Sequence, residues 1–150
     1  MTEIRFYHLT RKTLEQALPE LLEKTLERGW NAVVMAGSVE RVESLTQHLW
    51  TYRPDSFLPH GSAKDGSAEL QPIWLTDQDD PAPNKARILL LTDGAQTARA
   101  GDYERVCEIF DGNDETAVAS ARARWKDYKT AGHTLSYWQQ GERGWTNTAA

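Results

Sequence analysis

The stretch Asn31-Ala32-Val33-Val34-Met35-Ala36-Gly37-Ser38-Val39-Glu40-Arg41-Val42-Glu43-Ser44-Leu45-Thr46-Gln47-His48-Leu49 decides the fold class. Ala32 to Met35 is apolar at every position, so an extended chain here buries both faces, as a strand inside a parallel sheet does. Ser38 is suited to cap a helix, and Val39, Val42, Leu45 and Leu49 then recur at helical spacing while Glu40, Arg41 and Glu43 face water. A buried strand followed by an amphipathic helix is a βα unit, and the helix is expected to end near Trp50.

Working outward, Glu3 to Leu9 alternates with a period of two and reads as a strand. Leu14, Leu18, Leu21 and Leu26, with Ala17 and Leu22, form a helical stripe that runs to a stop signal at Gly29; Pro19 either delays the start by a turn or kinks the helix. Thr51 to Gly61 is expected to be a loop containing Pro54 and Pro59. Lys64 to Glu69 reads as a flexible excursion before Pro72-Ile73-Trp74-Leu75, and Asp77 to Asn84 as an acidic, proline-bearing loop. Ala86 to Thr92 is a strand ended by Asp93-Gly94, and Tyr103 to Phe110 a strand or short helix. A helix capped by Asn113 or Asp114 then runs to Gly132. Alternating strands and helices place the chain in the α/β class: one three-layer domain over 1–150, with a mostly parallel sheet and helices on both faces. The pattern leaves open whether the tail 141–150 is ordered.

The chain of 150 residues carries 17 Lys plus Arg against 22 Asp plus Glu, a net charge of −5, which argues against a dedicated nucleic-acid binder. No apolar run approaches the ~20 residues of a membrane span. Without a basic, apolar leader, and with the lone Cys107 unable to form an internal disulfide, the expected location is the cytoplasm. Cys107 reads as a buried strand residue in preference to a nucleophile.

A fold of this class invites a nucleotide site at the C-terminal edge of the sheet. The turn after the first strand, Leu9-Thr10-Arg11-Lys12, has no glycine, however, and Gly61 to Gly66 is followed by Ser67-Ala68 where a phosphate loop needs Lys and then Ser or Thr. The histidines at 8, 48, 60 and 133 show no ligand spacing for zinc, and Asp77, Asp79 and Asp80 beside Pro81 and Pro83 read as a solvated loop, so no metal site is expected. No nucleophile, base and oxyanion donor can be assembled from spacing, so no catalytic residue is assigned and a binding module is the better expectation.

The signal lies in the C-terminal third. From Val118 to Trp145 five positive residues, Arg122, Arg124, Lys126, Lys129 and Arg143, face two negative ones, Asp127 and Glu142, so this segment carries +3 and the remainder −8. At helical pitch Arg122, Lys126 and Lys129 fall within roughly 60° of one another, beside an apolar stripe of Val118, Ala121, Trp125 and Tyr128. An aromatic wall with two or three cations suits a short peptide that bears a hydrophobic anchor and carboxylates. The simpler alternative is an amphipathic surface helix with a solvated basic edge.

The block Ala121-Arg122-Ala123-Arg124-Trp125-Lys126-Asp127-Tyr128-Lys129-Thr130-Ala131-Gly132-His133, with Leu49-Trp50, Ser56-Phe57-Leu58-Pro59-His60 and Phe6-Tyr7-His8-Leu9, resembles the chi subunit family of bacterial DNA polymerase III holoenzyme. The resemblance covers nearly the whole chain in order. It implies an α/β fold related to mononucleotide-binding proteins but without their activity or a cofactor. It also implies a non-catalytic role in the clamp loader, an accessory part of the polymerase, during DNA replication. Chi-like proteins bind the acidic, phenylalanine-terminated tail of single-stranded DNA-binding protein and, on another face, the psi subunit. Carried over by motif, Arg122, Trp125 and Lys126 would form the tail pocket, with Trp where the family often has Tyr; Lys129 joins them from helix phase. Trp50, Phe57, Pro59 and His60 match the psi-contacting region, where the alternative is a loop pinned by its own aromatics. Lys64 to Glu69 and Tyr137 to Trp145 depart from the best-known members.

Two rivals complete the expectations. One is a nucleotide-binding enzyme or regulator at the C-terminal edge of the sheet. The other is direct single-stranded DNA binding by the aromatic, basic C-terminus, which the −8 of the remainder opposes.

Overall fold

A computed structural model describes residues 2–52, 58–141 and 144–147. Strand β1 (Glu3–Leu9) leads to helix α1 (Leu14–Glu27), β2 (Ala32–Met35), α2 (Val39–Thr51), β3 (His60–Ser62), β4 (Ile73–Thr76), β5 (Ile88–Leu91), β6 (Arg105–Asp111), α3 (Glu115–Thr130), β7 (Thr134–Gly141) and β8 (Gly144–Asn147). The sheet has the order β3-β4-β2-β5-β6-β1-β7-β8; the first seven strands are parallel and β8 runs antiparallel to β7.

Strand β2, read as apolar on both faces, and β5 are buried at all four positions. Their side chains alternate between two cores. On one face Ala32, Val34, Ile88 and Leu90 pack under α1 and α2 through Leu18, Leu22, Leu45 and Leu49. On the other, Val33, Met35, Leu89 and Leu91 share a cluster with Phe6, Val106 and Ala121 of α3. The helices start where their caps place them. Thr13 and Gln16 form a reciprocal capping box on α1, Ser38 accepts from the Arg41 amide, and Asp114 accepts from Thr116 and Ala117. Pro19 lies inside α1, which is continuous from Leu14, and Gly29, at φ 82°, takes the left-handed geometry that ends it.

Two segments differ from the sequence expectation. His60 to Ser62, read as the end of a loop and its sequel, forms edge strand β3, whereas Tyr103 to Phe110, read as a strand or short helix, is strand β6 over Arg105–Asp111. The chain beyond Gly132, to which no element was assigned, supplies β7 and β8, with β7 paired along β1 from Glu3↔Thr134 to His8↔Gln139. Pro54, Ser56 and Phe57 of the loop, and Glu142, Arg143 and 148–150 of the tail, lie outside the described residues.

Adjacent strands β1 and β6 hand the chain to helices on opposite faces, α1 and α3. Their C-terminal ends therefore open a crevice at a topological switch point, where this class of sheet usually places ligands. The expected nucleotide edge is this crevice.

Candidate partner-binding site

Helix α3 is held against the sheet by a buried ionic network. Glu108 of β6 is 1% exposed; it accepts hydrogen bonds from Arg124 Nε at 3.0 Å and from the Tyr128 hydroxyl at 2.8 Å. Burial pushes the Glu108 carboxyl above the ordinary value, against the pull of Arg124 and Tyr128. Because Arg124 points inward, Arg122 and Lys126, two residues to either side and about 200° around the helix, point outward, and both are exposed.

Between α3 and β7 lies a cavity of about 330 Å³ lined by Phe6, Val118, Ala121, Arg122, Trp125, Lys126 and Tyr137. Its wall is aromatic. Trp125 stands edge-to-face on Phe6, with ring centroids 5.2 Å apart, and on Tyr137 at 6.0 Å. The two cations flank the opening. The Tyr137 hydroxyl is hydrogen-bonded to His8 Nδ1. Burial lowers the His8 pKa, with Asp111 opposing and Arg122 adding to the shift, which favours the neutral imidazole. Gly112 makes room for this imidazole, since a Cβ there would overlap the His8 ring and come within 2.7 Å of the Leu9 carbonyl.

Three of the four residues assigned to the tail pocket thus line one cavity. Lys129 is exposed one turn further along α3 and does not line it. Sequence reasoning missed Phe6, Tyr137 and His8. The period of two in β1 puts Phe6 and His8 on one face, but only the pairing of β7 with β1 brings Tyr137 beside them.

The second group lies at the other end of the sheet. From β7 to β3 is six strand steps, on the order of 30 Å. Trp50, 47% exposed, closes α2 and packs its ring 4.4 Å from that of His60. His60 itself is buried, with its ring nitrogens 2.6 and 3.0 Å from the carbonyl oxygens of Leu58 and Thr46, and Pro59 is half-buried. His60 therefore fixes the edge strand and Trp50 presents a surface; Phe57 lies outside the described residues.

The switch-point crevice encloses about 670 Å³. The loop after β1 turns three consecutive amides, Thr10, Arg11 and Lys12, toward one acceptor, and that acceptor is the buried Gln140 Oε1 of β7, at 3.2, 2.8 and 2.9 Å. Asp114 takes up the first amides of α3, and Asp93 and Asp111 line the same walls. A phosphate entering here would meet carboxylates and donors already engaged. On the α1 face, burial pushes the Cys107 thiol up to about 12, which disfavours a reactive thiolate.

Comparison with known proteins gives the fold a family. A protein of Rickettsia prowazekii (strain Madrid E), described as a probable DNA polymerase III subunit chi, is 32% identical over 109 residues, which cover 71% of this chain and 66% of that protein, just under two thirds of its length. The family model described as DNA polymerase III chi subunit, HolC, matches residues 1–136, from the start of the chain into β7. On that match the chain belongs to the chi subunit family of DNA polymerase III.

Proposed function

We propose that this chain is a non-catalytic adaptor of the replicative polymerase, folded as one domain over 1–150 and acting in the cytoplasm during DNA replication. Its α3–β7 cavity takes the acidic, phenylalanine-terminated tail of single-stranded DNA-binding protein, and the Trp50 edge takes a psi-like subunit of the clamp loader. The single observation that carries the tail site is the joining of Arg122, Trp125 and Lys126 around one aromatic cavity with Phe6 and Tyr137.

The chemistry follows from that arrangement. An aromatic side chain enters edge-on among Phe6, Trp125 and Tyr137, while carboxylates of the same peptide meet Arg122 and Lys126 at the mouth, and upstream acids reach Lys129. Exposed ion pairs contribute only ~0 to 1 kcal/mol each, so the aromatic anchor supplies much of the specificity and the cations much of the salt dependence. Micromolar affinity, about −8 kcal/mol, suits a tether that releases as the fork moves. An acidic domain whose α3–β7 cavity is flanked by cations meets the protein that coats single-stranded DNA and not the DNA itself.

Fluorescence anisotropy of a labelled tail peptide at low and high salt tests this reading. Lys126→Glu and raised salt each weaken binding; an affinity unchanged by both overturns the tail assignment. Thermal melting with millimolar nucleotides tests the crevice, and a rise in melting temperature with any of them would restore the nucleotide-binding alternative.

A further inference from the structure

A second cavity opens on the opposite face of the sheet, between the C-terminal half of α1 and strands β5, β6 and β1, and encloses about 380 Å³. Its floor is apolar and buried: Tyr7, Ile88, Leu90 and Cys107. Its rim is cationic, with Arg5, Lys24, Arg28 and Arg105 against Glu27 and Glu3, a net +2 on a chain of −5. Glu3 is shared by Arg5 at 3.2 Å and Arg105 at 2.6 Å, whereas Lys24 and Arg28 have no ion-pair partner among the described residues.

Tryptophans fix these cations in place. The Arg28 guanidinium lies 4.3 Å from the Trp30 ring centroid, Arg105 lies 5.3 Å from the same ring, and Arg5 lies 5.1 Å from Trp138 of β7. Trp145 of β8 extends the surface by packing edge-to-face on Tyr7 at 4.9 Å. Trp138 and Trp145 both lie beyond residue 136, where the family match ends. Stacking on a ring leaves a guanidinium's in-plane N–H groups free, and those groups match a carboxylate bidentately.

We infer that this face is a second docking site, for an acidic segment of a partner protein that carries an apolar side chain. The positive rim, with Lys24 and Arg28 outside any ion pair among the described residues, selects carboxylates, and the buried floor takes the apolar anchor. A single-stranded nucleic acid fits less well, because it needs open aromatic faces for its bases, and here the Trp30 and Trp138 rings are covered by guanidinium groups of the protein. The site shares no residue with the α3–β7 cavity and does not depend on what binds there.

The indole N–H signals of the full chain in two-dimensional NMR separate the two faces, with Trp30 and Trp138 reporting this site and Trp125 the other. The probe is a capped peptide of four aspartates followed by two leucines, titrated beside an all-aspartate control and an oligothymidine. The expected result is a saturable shift of Trp30 and Trp138 that survives Lys126→Glu and weakens roughly five-fold or more in Lys24→Glu and in Arg28→Glu. Immobile Trp30 and Trp138 signals, wild-type affinity in both rim variants, or equal shifts with either control overturn the inference. A change confined to Trp125 likewise overturns the inference, while leaving the tail site standing.

Discussion

The switch-point crevice and the α3–β7 cavity sit on neighbouring strands and differ in what made them. The crevice is topological: any sheet whose adjacent strands β1 and β6 send helices to opposite faces has one, and here its amides face Gln140 while carboxylates line its walls. The cavity is built by side chains, with Phe6 from β1, Tyr137 from β7 and Arg122, Trp125 and Lys126 from α3. In this molecule the loop amides that the fold offers to a ligand are already taken by one strand, and the cavity that the side chains build is left open beside the same strand.

The largest expected effect separates the two arginines of α3. Arg124→Ala leaves Glu108 buried without its ionic partner and should cost about 3–5 kcal/mol in urea unfolding. Arg122→Ala, two residues away and exposed, should stay within about 0.5 kcal/mol of the parent. Similar losses in the two variants would break the distinction between anchor and ligand.

Trp125→Ala removes the wall between Phe6 and Tyr137, and tail-peptide affinity should fall by about 2 kcal/mol or more, roughly thirty-fold, in a calorimetric titration. Gln140→Ala strips the shared acceptor from three loop amides and should lower stability by about 1–3 kcal/mol in thermal melts, with tail-peptide affinity unchanged. A Gln140→Ala protein as stable as the parent would mean that the loop amides are not held in this way.

The smallest effect is a pH dependence. His8 has its folded pKa below the usual 6.5, so it favours the native state while neutral. Its contribution is complete above the unfolded value and is lost as pH falls below it, because there the unfolded chain binds more protons. Melting temperature should therefore drop more steeply on acidification in the parent than in His8→Gln.

How much of this was legible in the sequence follows from the physics of each signal. Ala32–Met35 and Ile88–Leu91 announce buried parallel strands because every position is apolar, and Ser38 and Asp114 announce helix starts because an unpaired amide needs an acceptor. Strand β7 gave no such sign. Ser136, Gln139 and Gln140 dilute its alternation, and the buried Gln140 side chain serves the amides of a loop some 130 residues earlier. Strand β3 is three residues long and includes a glycine. Helix phase brought Arg122, Trp125 and Lys126 together because they share one element. Phe6 and Tyr137 required the non-local register between β1 and β7, which no local period encodes.

The central claim is that the aromatic cavity, and not the basic edge alone, recognises the partner. Calorimetric titration of the tail peptide with and without its terminal phenylalanine, against the parent and Trp125→Ala, tests this most directly. The account predicts that removing the phenylalanine or the tryptophan each abolishes most of the affinity, and that removing both costs little more than either alone. Equal binding of the two peptides to the parent protein would contradict it.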